Sequence, residues 1–323
     1  MRAMQATGFS GYGDLEFCDL PKPRAEQGRA LVRVTAAGVT PLDHTILSGH
    51  FPLASAPLAL GNEGVGVVED SGDTGLPSGT RVMFTGPYGV LENGAFSEWL
   101  AVKREHLCPI PPNISDVEAA GVPVAYLTAY MSLQSAGITD GKSVLAPAIG
   151  GSVGNAVTQL ARALGARHSV STTTSSAKAS TAREHGFNEV IDLSKETLSD
   201  GMRRFTQGYG ADIVIDAVGG RLLSESLGIL AQGGSLTTLG YAAGRESTID
   251  VTHLIWKGAS IRSFMLFAEP PAAWEQAWHA IAALLASGRV RPIVARIFAL
   301  EDAAEAIRYL VEDRPFGRVV LEI

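Results

Sequence analysis

The 323-residue sequence contains only two cysteines, Cys18 and Cys108. Two thiols are too few for a disulfide scaffold, and their separation does not match the spacing of cysteine metal ligands. The sequence also lacks a cluster of Lys and Arg, and its formal net charge is −7. Because nucleic acid backbones are bound by basic surfaces, we expect no nucleic acid partner.

Long apolar runs are also missing. No uninterrupted apolar segment is long enough to span a bilayer, and residues 1–5 lead directly into polar sequence without the apolar core of a signal peptide. Hydrophobic residues make up 46% and charged residues 18% of the chain, which is typical of a globular protein with an ample core. We therefore expect a cytoplasmic protein with no membrane partner, and the length predicts two domains.

The first part of the chain is rich in Gly and Pro and contains short strand-like runs. They lie at 30–36, 64–69, 80–84 and 96–102. Many short strands with few helical patterns predict a β-rich, barrel-like domain. A tail from about residue 260, with two amphipathic helical segments and a closing strand at 318–323, is expected to rejoin this domain. We therefore assign residues 1–122 and 260–323 to it.

Residues 123–259 follow a different pattern, in which strands and helices alternate. Strand-like runs lie near 143–148, 168–172, 189–191, 211–216 and 234–239, and helical runs lie near 154–164, 176–185, 196–207 and 221–231. This alternation predicts parallel βαβ units and an α/β domain with a doubly wound sheet. Ligands of such sheets bind beyond the carboxyl ends of the strands. The turns at Gly219 and Gly240, which each follow a strand, are therefore expected to line one cleft.

The turn between the first strand and the first helix of this domain is rich in small residues. It contains Gly150, Gly151, Ser152, Val153 and Gly154, and an apolar helical period follows it. Unpaired backbone N–H groups at the start of a helix favour a phosphate or pyrophosphate. The pattern is a variant of the dinucleotide fingerprint, and the steric demands of a tight turn would also explain the glycines. We expect residues 151–154 to bind a pyrophosphate and Gly150 to shape the turn.

The segment after the second strand indicates which nucleotide would bind. A dinucleotide fold that prefers NAD places Asp or Glu there to accept from the ribose 2′-hydroxyl, whereas residues 171–178 contain no carboxylate. Hydroxyl groups and an ammonium group would instead favour a 2′-phosphate. We expect Thr173, Ser175 and Lys178 to bind that phosphate and NADPH to be the cofactor, although a solvated polar loop would also explain the segment.

Five motifs, in this order along the chain, resemble those of a known family. They are AGVTPLD at 37–43, GNEGVGVV at 61–68, VPVAYLTAY at 122–130, GGSVG at 150–154 and DAVGG at 216–220. The chain resembles the medium-chain dehydrogenases/reductases, and most closely their zinc-free quinone oxidoreductase (zeta-crystallin-like) branch. The resemblance implies an α/β fold with a GroES-like β-rich barrel domain and a Rossmann domain. It also implies a homodimer joined through the nucleotide domain.

The resemblance also bears on metal binding. Zinc enzymes of this superfamily carry a ligand Cys where Thr40 stands and a ligand His where Asn62 stands. Because catalytic zinc needs three N, S or O ligands in fixed geometry, we expect no metal. The quinone oxidoreductases themselves commonly carry Asn at position 40 and Tyr where Thr45 stands. They also carry a Tyr, which contacts the adenosine phosphate, where this chain has Asp192.

The remaining candidate residues are assigned from the same resemblance. Thr40 would donate a hydrogen bond to the nicotinamide or the substrate, and Thr128 would contact the nicotinamide side or bond locally within its helix. Tyr241 would line the cleft and donate to the substrate oxygen, or else pack in the core. Arg314 would approach the adenosine phosphate, or else be a solvated surface residue.

These observations predict a reductase that works without a metal. Conjugation in a quinone or an α,β-unsaturated carbonyl compound spreads the charge that develops during hydride transfer, so such a substrate needs less help from a Lewis acid. The protein then has to position the reactants, exclude water and donate hydrogen bonds. The alternatives are an enoyl-thioester reductase and an NADPH-binding sensor or partner protein with little turnover.

Overall fold

A computed structural model describes all 323 residues, which divide into two compact units. The first unit contains Met1–Val124 and Glu269–Ile323, and the second contains Ala125–Ala268. The first boundary lies two residues later than the sequence predicts, and the second lies nine residues later. The second boundary was misplaced because Ser260–Ser263 forms a strand that pairs within the sheet of the second unit.

The first part of the chain forms eight strands and two helices before the Rossmann-type sheet begins. The strands are β1 (Arg2–Ala6), β2 (Leu15–Asp19), β3 (Arg29–Val39), β4 (Leu58–Ala59), β5 (Glu63–Asp70), β6 (Arg81–Thr85), β7 (Trp99–Lys103) and β8 (Leu107–Pro109). The helices are α1 (Pro41–Leu47) and α2 (Asp116–Ala119).

The middle of the chain alternates strands and helices, beginning with α3 (Pro123–Ser135). The strands are β9 (Ser143–Ala146), β10 (His168–Thr173), β11 (Val190–Asp192), β12 (Ala211–Asp216), β13 (Leu230–Thr238) and β14 (Ser260–Ser263). The helices are α4 (Ser152–Ala163), α5 (Ser176–Glu184), α6 (Leu198–Thr206), α7 (Gly220–Gly228) and α8 (Val251–Lys257).

The tail returns to the first unit, as predicted. It forms α9 (Pro271–Ala286), β15 (Val294–Ala299), α10 (Ala303–Glu312) and β16 (Arg318–Glu322). β16 pairs antiparallel with β3, so the largest sheet of this unit has the order β15-β16-β3-β5-β6-β8, and β7 also pairs with β3. A smaller sheet has the order β2-β1-β4. The unit is therefore β-rich, as its short strand-like runs indicate.

The sheet of the second unit is entirely parallel and has the order β11-β10-β9-β12-β13-β14. The chain moves outward in one direction from β9 and in the other from β12, so the strand order reverses between these two strands. Leu145, Val170, Val214 and Leu236, from the four central strands, are all buried in one core. Because ligands of doubly wound sheets bind where the order reverses, beyond the carboxyl ends of the strands, the turn after β9 occupies the expected position. None of the helices combines the length and apolar character needed to cross a membrane.

Candidate functional site

The turn between β9 and α4 is held by the neighbouring strand. Ala148 has a left-handed backbone with φ 66°, which L-residues seldom adopt. Its N–H donates to Thr172 Oγ1 at 3.2 Å, and the N–H of Ile149 donates to the Thr172 carbonyl at 2.9 Å. Thr172, near the end of β10, therefore fixes the path of the turn.

The glycines of this turn differ in how strictly the structure requires them. A Cβ on Gly154 would lie 2.4 Å from the carbonyl oxygens of Pro147 and Ala148, so only glycine lets α4 pack this closely on the strand end. A Cβ on Gly151 would lie 3.3 Å from the Ala148 oxygen, which is a milder clash. Gly150 lies in the same turn and is half-buried, and its role in shaping the turn stays a prediction.

The beginning of α4 leaves backbone donors available. Gly151 is the N-cap residue, and no side chain caps the helix. The N–H groups of Ser152, Val153 and Gly154 have no intrahelical acceptor because they belong to the first turn. Gly151 is exposed, and Ser152 and Val153 are half-buried. The arrangement therefore presents several N–H groups at the positive end of a twelve-residue helix.

A side-chain network behind the turn was missed by the sequence analysis. Asn155 Nδ2 donates to the Ile149 carbonyl at 3.3 Å, and its Oδ1 accepts from Gln159 Nε2 at 2.8 Å. Gln159 Nε2 also donates to the Tyr126 hydroxyl at 3.1 Å. Burial raises the pKa of Tyr126, so the phenol stays neutral. The only sequence signal is the i, i+4 spacing of Asn155 and Gln159, which places both on one face of α4.

The end of β10 and the beginning of α5 bring Thr173, Ser175 and Lys178 together. Thr173 Oγ1 accepts from the Ser175 N–H at 3.2 Å, and the Ser175 hydroxyl caps α5 by accepting from the Lys178 N–H at 3.4 Å. Both hydroxyl oxygens thus accept hydrogen bonds within the protein. Each hydroxyl still has a proton that it can donate to an anion.

A carboxylate also lies at this position, although it comes from another strand. Asp192, at the end of β11, is the partner of Thr173 in the sheet register. Its carboxylate accepts from the hydroxyls of Ser176 at 2.6 Å and Ser194 at 2.5 Å, and Lys195 Nζ lies 3.6 Å away. The Ser176 bond is the largest of the interactions that lower the pKa of Asp192, to about 2. The Asp192 side chain is therefore negatively charged, and both of its carboxylate oxygens accept hydrogen bonds.

The turns after β12 and β13 lie against each other. Asp216 is buried at the end of β12 and accepts from the N–H groups of Val218 at 2.9 Å and Gly219 at 3.1 Å. Gly219 has φ 70°, and a Cβ there would lie 2.6 Å from the Gly244 oxygen. A Cβ on Gly240 would lie 2.5 Å from the Ala217 oxygen. The two glycines were predicted to line one cleft, and the structure places their turns in contact.

The structure also shows where Tyr241, Thr128 and Arg314 lie. Tyr241 is 54% exposed, with the Arg245 guanidinium 5.2 Å from its ring centre, so packing in the core does not explain it. Thr128 is buried in α3. Arg314 belongs to the first unit, where it is exposed and has a left-handed backbone with φ 48°. The contacts of these residues with a cofactor or substrate stay predictions.

In the first unit, Thr40 is the N-cap residue of α1 and bonds to Asp43. The Thr40 N–H donates to Asp43 Oδ2 at 2.7 Å, and Thr40 Oγ1 lies 2.9 Å from the same oxygen. Asp43 Oδ1 accepts from the Gly61 N–H at 3.1 Å. Asp43 is only 1% exposed, and desolvation raises its pKa to about 6 although these hydrogen bonds oppose the shift.

Further buried polar residues surround this pair. Thr40 Oγ1 lies 3.2 Å from Asn62 Oδ1. Glu63 is fully buried, accepts from the Val124 N–H at 2.7 Å and forms an ion pair with Arg318. Desolvation lowers the pKa of Arg318 to about 10. Sequence reasoning had noted Thr40 and Asn62 but not Asp43, Glu63 or Arg318, which become neighbours only when β5, α1 and β16 assemble.

The donor set of this cluster does not fit a catalytic zinc ion. Thr40 and Asn62 are hydrogen-bonded to each other, and hydroxyl and amide groups are poor zinc ligands. No group of three or more His, Cys, Asp or Glu side chains is placed to hold a metal ion. Thr45 donates to the Pro41 carbonyl at 3.0 Å, so it is engaged within α1 and supplies no phenol-like proton donor.

Two family profiles match the chain. The zinc-binding dehydrogenase family matches residues 152–283, and the alcohol dehydrogenase GroES-like domain matches residues 26–112. Together with the parallel sheet, these matches confirm the predicted combination of a GroES-like domain and a Rossmann domain.

Two curated relatives differ greatly in length. The chain is 31% identical over 327 residues to a quinone oxidoreductase of Pseudomonas aeruginosa, with 99% of each chain covered. It is 32% identical over 316 residues to a phenolphthiocerol/phthiocerol polyketide synthase of Mycobacterium tuberculosis. That match covers 94% of this chain but only 14% of the synthase chain, so this chain corresponds to a small part of that protein.

Two solved structures superpose over the whole chain. An NAD-dependent alcohol dehydrogenase has a TM-score of 0.91 and 30% identity, with 100% of both chains covered. The quinone oxidoreductase from Thermus thermophilus, whose complex with NADPH has also been solved, has a TM-score of 0.86 and 31% identity over 100% of both chains.

Proposed function

Because this chain belongs to the medium-chain dehydrogenase/reductase superfamily, in its quinone oxidoreductase branch, we propose that it is an NADPH-dependent, zinc-independent oxidoreductase. Its acceptor would be a quinone or an α,β-unsaturated carbonyl compound. The observation that supports this best is the turn between β9 and α4, where Gly154 permits close packing and no side chain caps the first-turn N–H groups. Such a turn fits the diphosphate of a dinucleotide.

The residues of the second unit fit NADPH. The N–H groups of Ser152, Val153 and Gly154 would bind the diphosphate, whereas the Gly151 N–H, which was also predicted to do so, donates to the Ala148 carbonyl at 2.9 Å. Thr173, Ser175 and Lys178 would bind the 2′-phosphate. The charge of Asp192 is taken up by two hydroxyls and Lys195, so its repulsion toward that phosphate is reduced. When bound, NADPH supplies a hydride.

The first unit supplies the hydrogen-bond donor. Thr40 Oγ1 would donate to the oxygen of the acceptor, where negative charge develops as the hydride arrives. The donor set around Thr40 does not fit zinc, so a conjugated acceptor, which spreads this charge over several atoms, is the substrate class that the site favours. Tyr241, which is exposed, is a second candidate donor.

Steady-state oxidation of NADPH tests the proposal. Purified protein should oxidise NADPH with at least one member of a panel of quinones and enones, and it should do so after treatment with a chelator. Metal analysis should find less than one zinc ion per chain. Failure to bind NADPH, or failure to oxidise it with every acceptor, would contradict the proposal. Tight binding with negligible turnover would support the sensor instead.

A second candidate function is the reduction of enoyl thioesters. The observation that favours it is the 32% identity to a segment of a polyketide synthase. A crotonyl thioester in the same assay distinguishes the two functions. A kcat/KM for the thioester well above that for every quinone and simple enone would make the thioester the preferred class.

We also propose that the protein is a homodimer formed through β14 and α8. β14 is the edge strand of the parallel sheet, and all four of its residues are exposed. The helix α8 and the strand β14 carry large exposed apolar side chains, namely Val251, Ile255, Trp256 and Ile261. A second copy related by a twofold axis would pair the two edges antiparallel, satisfy their backbone groups and cover these side chains.

Light scattering during gel filtration tests the assembly. The wild type should elute as a dimer and Ile261→Lys as a monomer. Leu91→Lys, which alters an exposed apolar residue of the other unit, should remain dimeric. A monomeric wild type would contradict the dimer.

The cytoplasmic location stays a prediction.

A further inference from the structure

The hydroxyl of Thr40 lies between two oxygen acceptors. Its Oγ1 is 2.9 Å from Asp43 Oδ2 and 3.2 Å from Asn62 Oδ1. A threonine hydroxyl has one proton and can donate to only one of them. If Thr40 donates to Asn62, the contact with Asp43 needs a proton on the carboxyl group. With one proton on Asp43 Oδ2 and one on Thr40 Oγ1, a chain of hydrogen bonds runs from Asp43 through Thr40 to Asn62 Oδ1.

The surroundings of Asp43 keep its carboxyl protonated to a higher pH than that of an ordinary aspartate. Asp43 and Thr40 are 1% and 3% exposed, so water screens little of the charge. Desolvation raises the pKa of Asp43 to about 6, although the N–H groups of Thr40 and Gly61 and the hydroxyl of Thr40 favour the charged form. Arg318, from β16, also favours the charged form, but Glu63 from β5 forms an ion pair with it.

We propose that Asp43 stores the proton that completes the reduction and that Thr40 passes it to the oxygen of the acceptor. This inference rests on the proposed function and supplies the proton donor that Thr45 cannot provide. In this proposal Thr40 is the catalytic residue, because its hydroxyl would contact the substrate. Asp43 acts through Thr40.

The transfer balances as two linked steps. Hydride brings two electrons to the acceptor and leaves negative charge on its oxygen, which then replaces Asn62 Oδ1 as the acceptor from Thr40. The Thr40 Oγ1–H bond breaks and an O–H bond forms on the substrate. The Asp43 Oδ2–H bond breaks and restores the hydroxyl of Thr40. Asp43 is left as a carboxylate held by two backbone N–H groups, and it regains a proton from water before the next turnover.

Substitutions at Thr40 and Asp43 test the relay. Thr40→Val removes the proton but keeps the shape of the side chain, and Asp43→Asn removes the stored proton. Each should lower kcat by about 100-fold or more, which is the contribution of a positioned proton donor, while the Kd of NADPH changes little. Thr40→Ser should restore most of the loss. Thr45→Val removes a hydroxyl of α1 outside the relay and should keep wild-type kcat.

The pH profile separates proton supply from a structural role. Wild-type kcat should fall as pH rises past the point at which Asp43 loses its proton, and Asp43→Asn should lack this limb. Infrared spectra of the cofactor-free protein at pH 5 should contain a band of a buried protonated carboxyl that disappears in Asp43→Asn. Because Asp43→Asn and Thr40→Val both alter the cap of α1, Thr40→Ser, which keeps the hydroxyl and should keep the pH limb, provides the second measurement.

The possible results distinguish the relay from the reductase function. A wild type that is inactive with every quinone and enone overturns both. An active wild type whose Thr40→Val variant keeps its rate and its pH limb overturns the relay alone. The absence of the infrared band at pH 5 also overturns the relay, because no proton would then be stored on Asp43.

Discussion

At the scale of single residues, Gly154 is the most tightly constrained position of the candidate cofactor site. Its Cα faces the carbonyl oxygens of Pro147 and Ala148 so closely that no side chain fits without movement of α4 or of the turn. The same packing sets the position of the first turn of α4. We therefore expect stability and cofactor binding to depend on the same contact.

Gly154→Ala should lower the free energy of unfolding by about 1–3 kcal/mol, the usual cost of forcing an extra methyl group into packed structure, and should weaken NADPH binding. Gly151→Ala is the matched control, because its Cβ would lie 3.3 Å from its nearest neighbour rather than 2.4 Å. Denaturant unfolding and a fluorescence titration measure the two effects. Equal losses in both variants would contradict this interpretation of the turn.

The buried carboxyl of Asp43 should make stability depend on pH. Its pKa is raised from 3.8 to about 6 in the folded protein, so its stabilising effect is fully present below pH 3.8 and is lost as pH rises through about 6. The loss approaches about 3 kcal/mol at neutral pH. The difference in unfolding free energy between wild type and Asp43→Asn, measured from pH 4 to 8, should follow this curve. A difference that is constant with pH would contradict it.

Sequence reasoning found the residues of the glycine turn because their spacing is local. It did not find the network of Tyr126, Asn155 and Gln159, or the ion pair of Glu63 and Arg318, because their partners lie 33 and 255 residues apart in the chain. Buried polar pairs of this kind follow from tertiary packing and leave no periodic signal.

At the scale of elements, the ends of β10 and β11 together determine the charge at the proposed 2′-phosphate site. β10 contributes hydroxyls and the beginning of α5 contributes Lys178, whereas β11 contributes Asp192. The absence of an acid after β10 predicts NADPH, and the register of Thr173 with Asp192 brings an acid to the same place. We therefore expect cofactor preference to reflect a balance between these two opposite charges.

Substitutions of these two charges should move the preference in opposite directions. Lys178→Ala should raise the Kd of NADPH by about ten- to a hundredfold, since a charged hydrogen bond contributes about 1.5–3 kcal/mol, and should leave that of NADH nearly unchanged. Asp192→Asn should lower the Kd ratio of NADPH to NADH. Calorimetric titration with both cofactors measures this ratio. If both variants changed the two affinities equally, the site would not bind the 2′-phosphate.

Most elements were predictable because their hydrophobic period is clear, and β14 shows where such prediction fails. All four residues of β14 are exposed, so the strand shows neither the alternation of a half-buried strand nor the apolar run of a buried one. Its pairing with β13 comes from backbone hydrogen bonds at a sheet edge. The sequence therefore ended the nucleotide domain too early.

At the scale of the whole molecule, the residues proposed to bind the cofactor and those proposed to supply the proton belong to different units. The second unit carries the glycine turn and the hydroxyls proposed to bind the cofactor, and the first carries the buried acid and Thr40. A ligand that binds only the folded state stabilises the unit that holds it.

NADPH should therefore raise the unfolding temperature of the unit Ala125–Ala268. At a concentration about 100 times its Kd, it should add about 2.7 kcal/mol to the unfolding free energy. Calorimetry with NADPH and with NADH measures the effect, and NADH should stabilise less at equal concentration. Equal shifts with both cofactors would contradict the expected preference.

A crystal structure of the protein with NADPH tests the central claim most directly. The account predicts diphosphate oxygens within hydrogen-bonding distance of the N–H groups of Ser152 and Val153, with the 2′-phosphate beside Ser175 and Lys178. A diphosphate bound away from the beginning of α4 would contradict the account.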